Sequence, residues 1–482
     1  MTIHRAAVTD STVMGPPLPD LTGLPRNFVF GVATSSYQIE GDLAGRGRAN
    51  WDDFCAEPGR IVDGSDGSVA CDHVARMKSD VTIMASLGVQ AYRFSICWPR
   101  VLPKGVGKVS ELGLGFYDRL VDELLTNGIA PWATMYHWDL PSALEARGGW
   151  RNRDVASWFG EYSTVVGEKL ADRVTAWSTL NEPWCTTFLG HQSGAHAPGR
   201  QNSAEALATA HHQLLAHAQG MAALRAAGAT QVGICLNHWE VLAAPGADDD
   251  PVVVDALRRM DAQVTRMWVD PLLRGRYPDD VLEDLGDLLI PVIKDGDLAA
   301  ISAPMDWWGL NYYFDPTFRA SAPGEGNSSG HGRADAPSPF IRVEGVVQEL
   351  DGPLTDMGWP ITPSGLTRHL LRLQRDYGDA MPPLVISENG VAFSTGISAD
   401  GAIHDVERRH YLHDHIEALT AAVRAGVDVR GYLQWSLMDN FEWAEGYRMR
   451  FGIVGVDFDT QVRTIKDSGA WYRRVIAAHK AG

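Results

Sequence analysis

"TAWSTLNEP" at residues 175–183 and "PLVISENG" at residues 383–390 are short apolar runs that each end in a carboxylate, Glu182 and Glu388. Neither run alternates cleanly between apolar and polar residues. That pattern marks a strand covered on both faces, as in a parallel sheet packed against helices. The two acids lie 206 residues apart in the chain. Strand ends so remote become neighbours when parallel strands close into a barrel, because every strand then delivers its last residues to one rim.

Six further runs have the same character: "FVFGVAT" (28–34), "AYRFSI" (91–96), "IAPWATMYH" (129–137), "VGICLNH" (232–238), "WWGLNYY" (307–313) and "VRGYLQWSL" (429–437). Amphipathic helices fall between them. Val74, Met77, Val81 and Met84 recur at helical spacing before Gly88, and Tyr117, Leu120, Val121 and Leu124 before Gly128. Leu412, Ile416, Leu419 and Val423 repeat the pattern before Gly426. In each case glycine stands where a left-handed C-terminal cap is wanted. Eight strand-plus-helix units predict a single (β/α)8 TIM barrel of the α/β class rather than an open sheet.

A plain barrel needs about 250 residues, so much of this 482-residue chain must form long loops after the strands. The longest candidate is the Gly/Ser/Pro-rich stretch at about 320–338, read as a mobile loop because barrel-like units resume after it. Residues 1–22 are polar and proline-rich and are expected to be a flexible tail. Residues 23–482 are expected to form one catalytic domain.

Composition narrows the function. No apolar run approaches the roughly 18 residues of a membrane span, and no signal peptide is visible, so a cytoplasmic protein is expected. A net charge of −18 repels phosphate backbones, which argues against nucleic acid as a partner. Cys55, Cys71, Cys97, Cys185 and Cys235 form no CxxC pair and read as reduced core thiols. The histidines at 211–212 and in "HYLHDH" (410–415) lack metal-ligand spacing and read as exposed helix residues; no metal is expected. "GEGNSSGHG" (324–332) lacks the preceding strand and following helix of a phosphate loop.

Polar residues gather at the predicted strand ends. Gln38 and Glu40 follow the first strand, Arg93 lies in the second, and His137 and Trp138 end the third. Asn181 and Glu182 end the fourth, Asn311 and Tyr313 the sixth, and Glu388 and Asn389 the seventh; Trp435, Glu442 and Trp443 come at or after the eighth. A lone strand-end glutamate reads as a salt bridge or helix cap. So many in register require a shared site.

Two acids facing each other across a cleft are the minimum equipment for cleaving a glycosidic bond. With retention of configuration one is an ionised nucleophile and the other a proton donor, about 5–5.5 Å apart. Like charges that close raise the proton affinity of one of them. We expect Glu388 to be the nucleophile and Glu182 the acid, then base. Arg93 would keep the nucleophile ionised, Tyr313 would orient it, and Asn181 would bond the sugar 2-hydroxyl, with Asn311 in support. Taken alone, Arg93 would read as a buried ion pair and Tyr313 as a core aromatic.

The blocks "FVFGVATSSYQIEG", "WDDFCAEPGRI", "AYRFSICWPRV", "TLNEPW", "WWGLNYY", "TDMGWPITP", "ISENG" and "WSLMDNFEWAEGYRMRFG" run in this order over almost the whole chain. Together they resemble glycoside hydrolase family 1, the β-glucosidase group. The resemblance implies a retaining exo-β-glycosidase acting on terminal β-D-glucosyl residues of small glucosides or oligosaccharides, without a cofactor. Galactosyl or fucosyl residues would be tolerated. By this resemblance Glu182 matches the acid/base and Glu388 the nucleophile. Gln38, His137, Trp138, Asn181, Glu442 and Trp443 match residues that bind the non-reducing sugar, and Trp435 its floor. Trp359 and Phe451 match the aglycone side and the pocket wall. The family usually has threonine where Ser387 stands.

Members acting on 6-phosphorylated sugars carry small or cationic residues where Glu442 and Trp443 stand, so a neutral glycone is implied here. Two other readings are a transglycosylating enzyme and a noncatalytic sugar-binding barrel. Descendants of the second kind typically lose one carboxylate, and both are present. The loops near 191–198, 237–245 and 320–338 are expected to shape the aglycone site.

Overall fold

The computed structural model describes residues 15–325 and 336–482. Most of the expected tail and the middle of the 320–338 stretch, including most of "GEGNSSGHG", lie outside the described residues.

Eight parallel strands close into a barrel. They are β1 Val29–Ala33, β2 Ala91–Ser95, β3 Ala130–Tyr136, β4 Ala176–Asn181, β5 Val232–Asn237, β6 Trp307–Asn311, β7 Leu384–Asn389 and β8 Val429–Trp435. All eight predicted runs became these strands, and β8 pairs with β1 to close the ring. Every residue of β2, β4, β5, β6 and β7 is buried, which is why these runs lack alternation.

Within a strand the two faces still differ. Tyr92 and Phe94 join the large core between barrel and helices, whereas Ala91 packs in a separate cluster with Ala33, Ala176, Cys235, Val385 and Leu433. Arg93 shares the parity of Ala91 and so points into the barrel. Small side chains leave room there. A Cβ on Gly309 of β6 would stand 2.5 Å from Ser387 Oγ and 2.6 Å from Cys235 Sγ, so only glycine fits beneath the rim.

The helices end as their spacing predicts. His73–Leu87 stops at Gly88 (φ +74°); Glu111–Thr126 and Val406–Arg424 are followed by Gly128 (φ +70°) and Gly426 (φ +101°). No described helix is long and apolar enough to cross a membrane.

Two features correct the sequence reading. His211, His212 and His415 are buried rather than exposed. Their helices, Ser203–Ala226 and Val406–Arg424, press both polar and apolar positions against neighbours, and each ring has a hydrogen-bond partner: Tyr277 and Asp297 for His211, the Trp150 carbonyl for His212, the Tyr411 carbonyl for His415. Small sheets also went unforeseen. Thr317–Ala320 pairs antiparallel with Val346–Glu349, so the 320–338 stretch belongs to the connection between two short strands.

The register shifts below both acids, and the β7–β8 pairing shifts as well, between Leu384 and Ile386 and between Ile386 and Asn389. The β4–β5 pairing shifts between Ser178 and Asn181, and the β7–β6 pairing shifts between Ile386 and Glu388. Such irregularities bend a strand and re-aim the side chain that follows.

Candidate active site

The chain leaves β4 through Glu182, whose backbone is left-handed (φ +46°), before Pro183 and the helix Cys185–Ser193. Trp138 (φ +77°) and Trp443 (φ +49°) share this conformation. It is costly for any residue with a Cβ, on the order of 1–3 kcal/mol each. All three side chains line one cavity of about 150 Å³ at the C-terminal rim of the barrel. Asp42, Ala70, Asp72, Arg342 and Gln461 are left-handed elsewhere, but these three meet at a single cavity, which points to a site held for function.

Glu388 is gripped from two sides. Arg93 Nη1 donates to Oε1 at 2.6 Å, and the Tyr313 hydroxyl donates to Oε2 at 2.8 Å. Glu182 has different company. Asn311 Nδ2 donates to Oε1 at 2.7 Å and the Cys185 thiol to Oε2 at 3.2 Å. Asn311 ties the acids together: its Oδ1 accepts from Ser387 Oγ at 2.6 Å, next to Glu388, and its Nδ2 also reaches Asn181 Oδ1 at 3.0 Å. Serine at 387 thus retains the hydroxyl that threonine would supply.

Burial pushes both carboxyls up, since neither charge is solvated. Glu182 is driven to about 8, first by burial and then by the charge of Glu388, against the donors Asn311 and Cys185. Arg93 and Tyr313 pull Glu388 back down. Of the two acids only Glu388 bonds the guanidinium, so one shared proton belongs on Glu182. The pair therefore presents an anion and an acid to the same cavity.

Glu442, Trp443, His137, Trp138 and Trp435 line one part of that cavity. His137 lies nearly parallel to Trp435 (5.7 Å, 16°) and to Trp443 (6.0 Å, 15°). Burial and the neighbouring Arg93 hold His137 well below the usual imidazole range, so it stays neutral. Glu442 is pushed well above the carboxylate range by burial and by Glu388, Glu182 and Glu445.

Gln38, Asn181 and Arg93 stand behind the wall. Gln38 Nε2 donates to the Phe441 carbonyl at 2.8 Å, Asn440 Oδ1 at 3.0 Å and Glu442 Oε2 at 3.4 Å. Asn181 bridges Arg93 and His137 at 2.6 and 3.1 Å.

A ring wall faces Glu388 on the other side. Trp359 contacts Tyr313 (5.4 Å) and Phe451 (6.1 Å) and stacks on Phe314 (5.2 Å, 24°), which stacks in turn on Trp239 (6.4 Å, 12°). The loops expected to shape this side contribute His196, Asn237 and Trp239 to the cavity. Sequence reasoning missed Cys185, Leu189, Phe314, Met357 and Glu445, which also line it. No helical spacing could have found Cys185, because Glu182 lies outside the helix that Cys185 opens and has a left-handed backbone.

The description "Glycosyl hydrolase family 1" fits residues 21–481. The chain belongs to glycosyl hydrolase family 1. This family 1 enzyme is 44% identical to β-glucosidase A of Thermotoga maritima over 94% of the chain and 97% of that protein. It is 41% identical to a bifunctional β-D-glucosidase/β-D-fucosidase of Bifidobacterium breve, over 95% of the chain and 99% of the relative. Among solved structures, a psychrophilic β-glucosidase from Micrococcus antarcticus superposes with a TM-score of 0.91 at 47% identity, covering 95% of this chain and 98% of that one.

Proposed function

We propose that this enzyme is a retaining exo-β-glucosidase in which Glu388 is the nucleophile and Glu182 the acid, then the base. One observation carries the reading: the site's guanidinium bonds Glu388, whereas Glu182 has only the neutral donors Asn311 and Cys185 and is pushed upward by burial and by Glu388. The anionic Glu388 attacks the anomeric carbon while Glu182 protonates the departing oxygen. Glu182, now ionised, takes a proton from water as that water displaces Glu388 from the sugar. The two inversions give net retention.

The glycone reading rests on the cavity's lining. Trp435, Trp443, His137 and Glu442 offer ring faces and one acceptor carboxyl, and no lysine or arginine is among the described lining residues. Such a pocket favours a neutral pyranose and disfavours a phosphorylated one. The dual activity named for the Bifidobacterium breve relative supports β-fucosyl as a second glycone. Gln38 and Asn181 would act from behind the wall, Gln38 by holding Glu442 and Asn181 at the sugar 2-hydroxyl once the ring is bound. Beyond Glu388, the Trp239–Phe314–Trp359 stack would take the aglycone, with Phe451 beside it. We read residues 23–482 as one catalytic domain.

Proton NMR of 4-nitrophenyl β-D-glucoside hydrolysis tests the reading: β-glucose should form first and mutarotate later. Initial α-glucose would mean inversion and would exclude a glycosyl-enzyme.

A further inference from the structure

We propose that Cys185 is a positioning residue for Glu182, forming with Asn237 a hydrogen-bond chain that serves the carboxyl in both of its protonation states. The inference rests on the reading of Glu182 as the acid/base.

The geometry comes first. Cys185 opens the helix Cys185–Ser193, and its backbone N–H donates to the Glu182 carbonyl at 3.0 Å. That bond fixes Cβ over the glutamate side chain. The thiol then reaches Oε2 at 3.2 Å, and Asn237 Nδ2, at the end of β5, reaches the sulfur at 3.5 Å. Cys185 is buried and lines the cavity, so water does not compete for Oε2 from that side.

The chemistry of the two carboxyl oxygens gives the chain its role. Oε1 faces the NH2 of Asn311, which can only donate, its Oδ1 being turned to Ser387. A proton on Oε1 would collide with that donor, so the acid carries it on Oε2. A thiol is a weak donor and a weak acceptor. It can turn its hydrogen away while Oε2 is protonated and donate to Oε2 once the proton has gone to the leaving group. An amide in its place would oppose the acid form, and an alkyl group would leave the ionised form short of a partner in a buried site. The Asn237 contact polarises the S–H bond and orients it. The thiol is not itself a nucleophile here: burial and the adjacent Glu182 push it well above its usual range.

The test is the pH dependence of kcat/KM, whose basic limb reports the acid of the free enzyme. Glu182→Gln should remove that limb for a dinitrophenyl glucoside, which needs little protonation. Cys185→Ala should move the limb upward by about half a pH unit, since the ionised form loses its donor. Cys185→Ser, a stronger donor of similar size, should return it to the wild-type position or below. A mere packing role would lower kcat without moving the limb. If Cys185→Ala and wild type share one limb, or if Ser moves it upward, the proposal is overturned. If Ala does not fold, the Ser variant decides by its direction. A limb that persists in Glu182→Gln would defeat the acid assignment and the proposal with it. A limb lost there but unmoved by both cysteine variants would defeat the thiol alone.

Discussion

Arg93 bonds Glu388 through Nη1 and Asn181 through Nη2, both at 2.6 Å, so one buried guanidinium joins β2 to β7 and β4. The cation sets the charge of the nucleophile and the position of a neighbour of the acid together. Removing it leaves a buried carboxylate without its counter-ion, which costs about 3–5 kcal/mol unless the carboxylate takes up a proton.

Arg93→Met should therefore lose turnover while moving the acidic limb of kcat/KM upward, because Glu388 must be ionised to attack. Arg93→Lys should restore some of the charge but not the second arm, and should fall between. Steady-state kinetics from acid to neutral pH decide it; an unmoved acidic limb would show that Arg93 does not control the nucleophile.

Stability gives a test that does not depend on turnover. The Glu182 carboxyl is raised to about 8 in the fold, above its ordinary value of 4.5. A group with a raised pKa binds extra protons in the folded state, so its stabilisation is full below the unfolded value and is lost as pH rises through the folded one. Glu182→Gln cannot ionise and should gain stability over wild type progressively between about pH 4.5 and pH 8. Each tenfold rise in proton affinity on folding contributes about 1.4 kcal/mol at most. Urea denaturation at several pH values checks this; parallel curves would mean that the acid is not held protonated by its surroundings.

The same variant should respond to the leaving group. Glu182→Gln should slow alkyl glucosides far more than dinitrophenyl glucosides, because only poor leaving groups need the proton. Equal losses on both would remove Glu182 from that role.

Glu442 should discriminate between glycones. We expect it to accept from the 4- and 6-hydroxyls, and a fucoside has no 6-hydroxyl. Glu442→Gln should then cost kcat/KM on glucosides about tenfold more than on fucosides, the scale of one hydrogen bond. Parallel losses would place Glu442 away from the 6-position.

The fold was legible because burial on both faces prints itself locally: eight apolar runs without alternation, with helical periodicity between them that stops at Gly88, Gly128 and Gly426. The acids were legible for a related reason, standing as charged residues at the ends of runs that otherwise exclude charge. The contacts between them were not. Asn311 reaches Glu182 at a rim where the pairing shifts at Ser178/Asn181 and Ile386/Glu388. Pairing irregularities between strands far apart in sequence leave no local pattern. His211 and His415 misled for the opposite reason, being polar residues on helices packed from several sides. Phe314 and Met357 lie on connections whose course no periodicity describes.

The double displacement through Glu388 is tested most directly by replacing the nucleophile and supplying another. Glu388→Gly should lose nearly all hydrolysis of 4-nitrophenyl β-D-glucoside. Azide admitted to the vacated space should restore release of nitrophenol and yield α-D-glucosyl azide, identified by NMR. Failure of azide to rescue a folded variant, or a β-configured azide as the product, would contradict the assignment of Glu388.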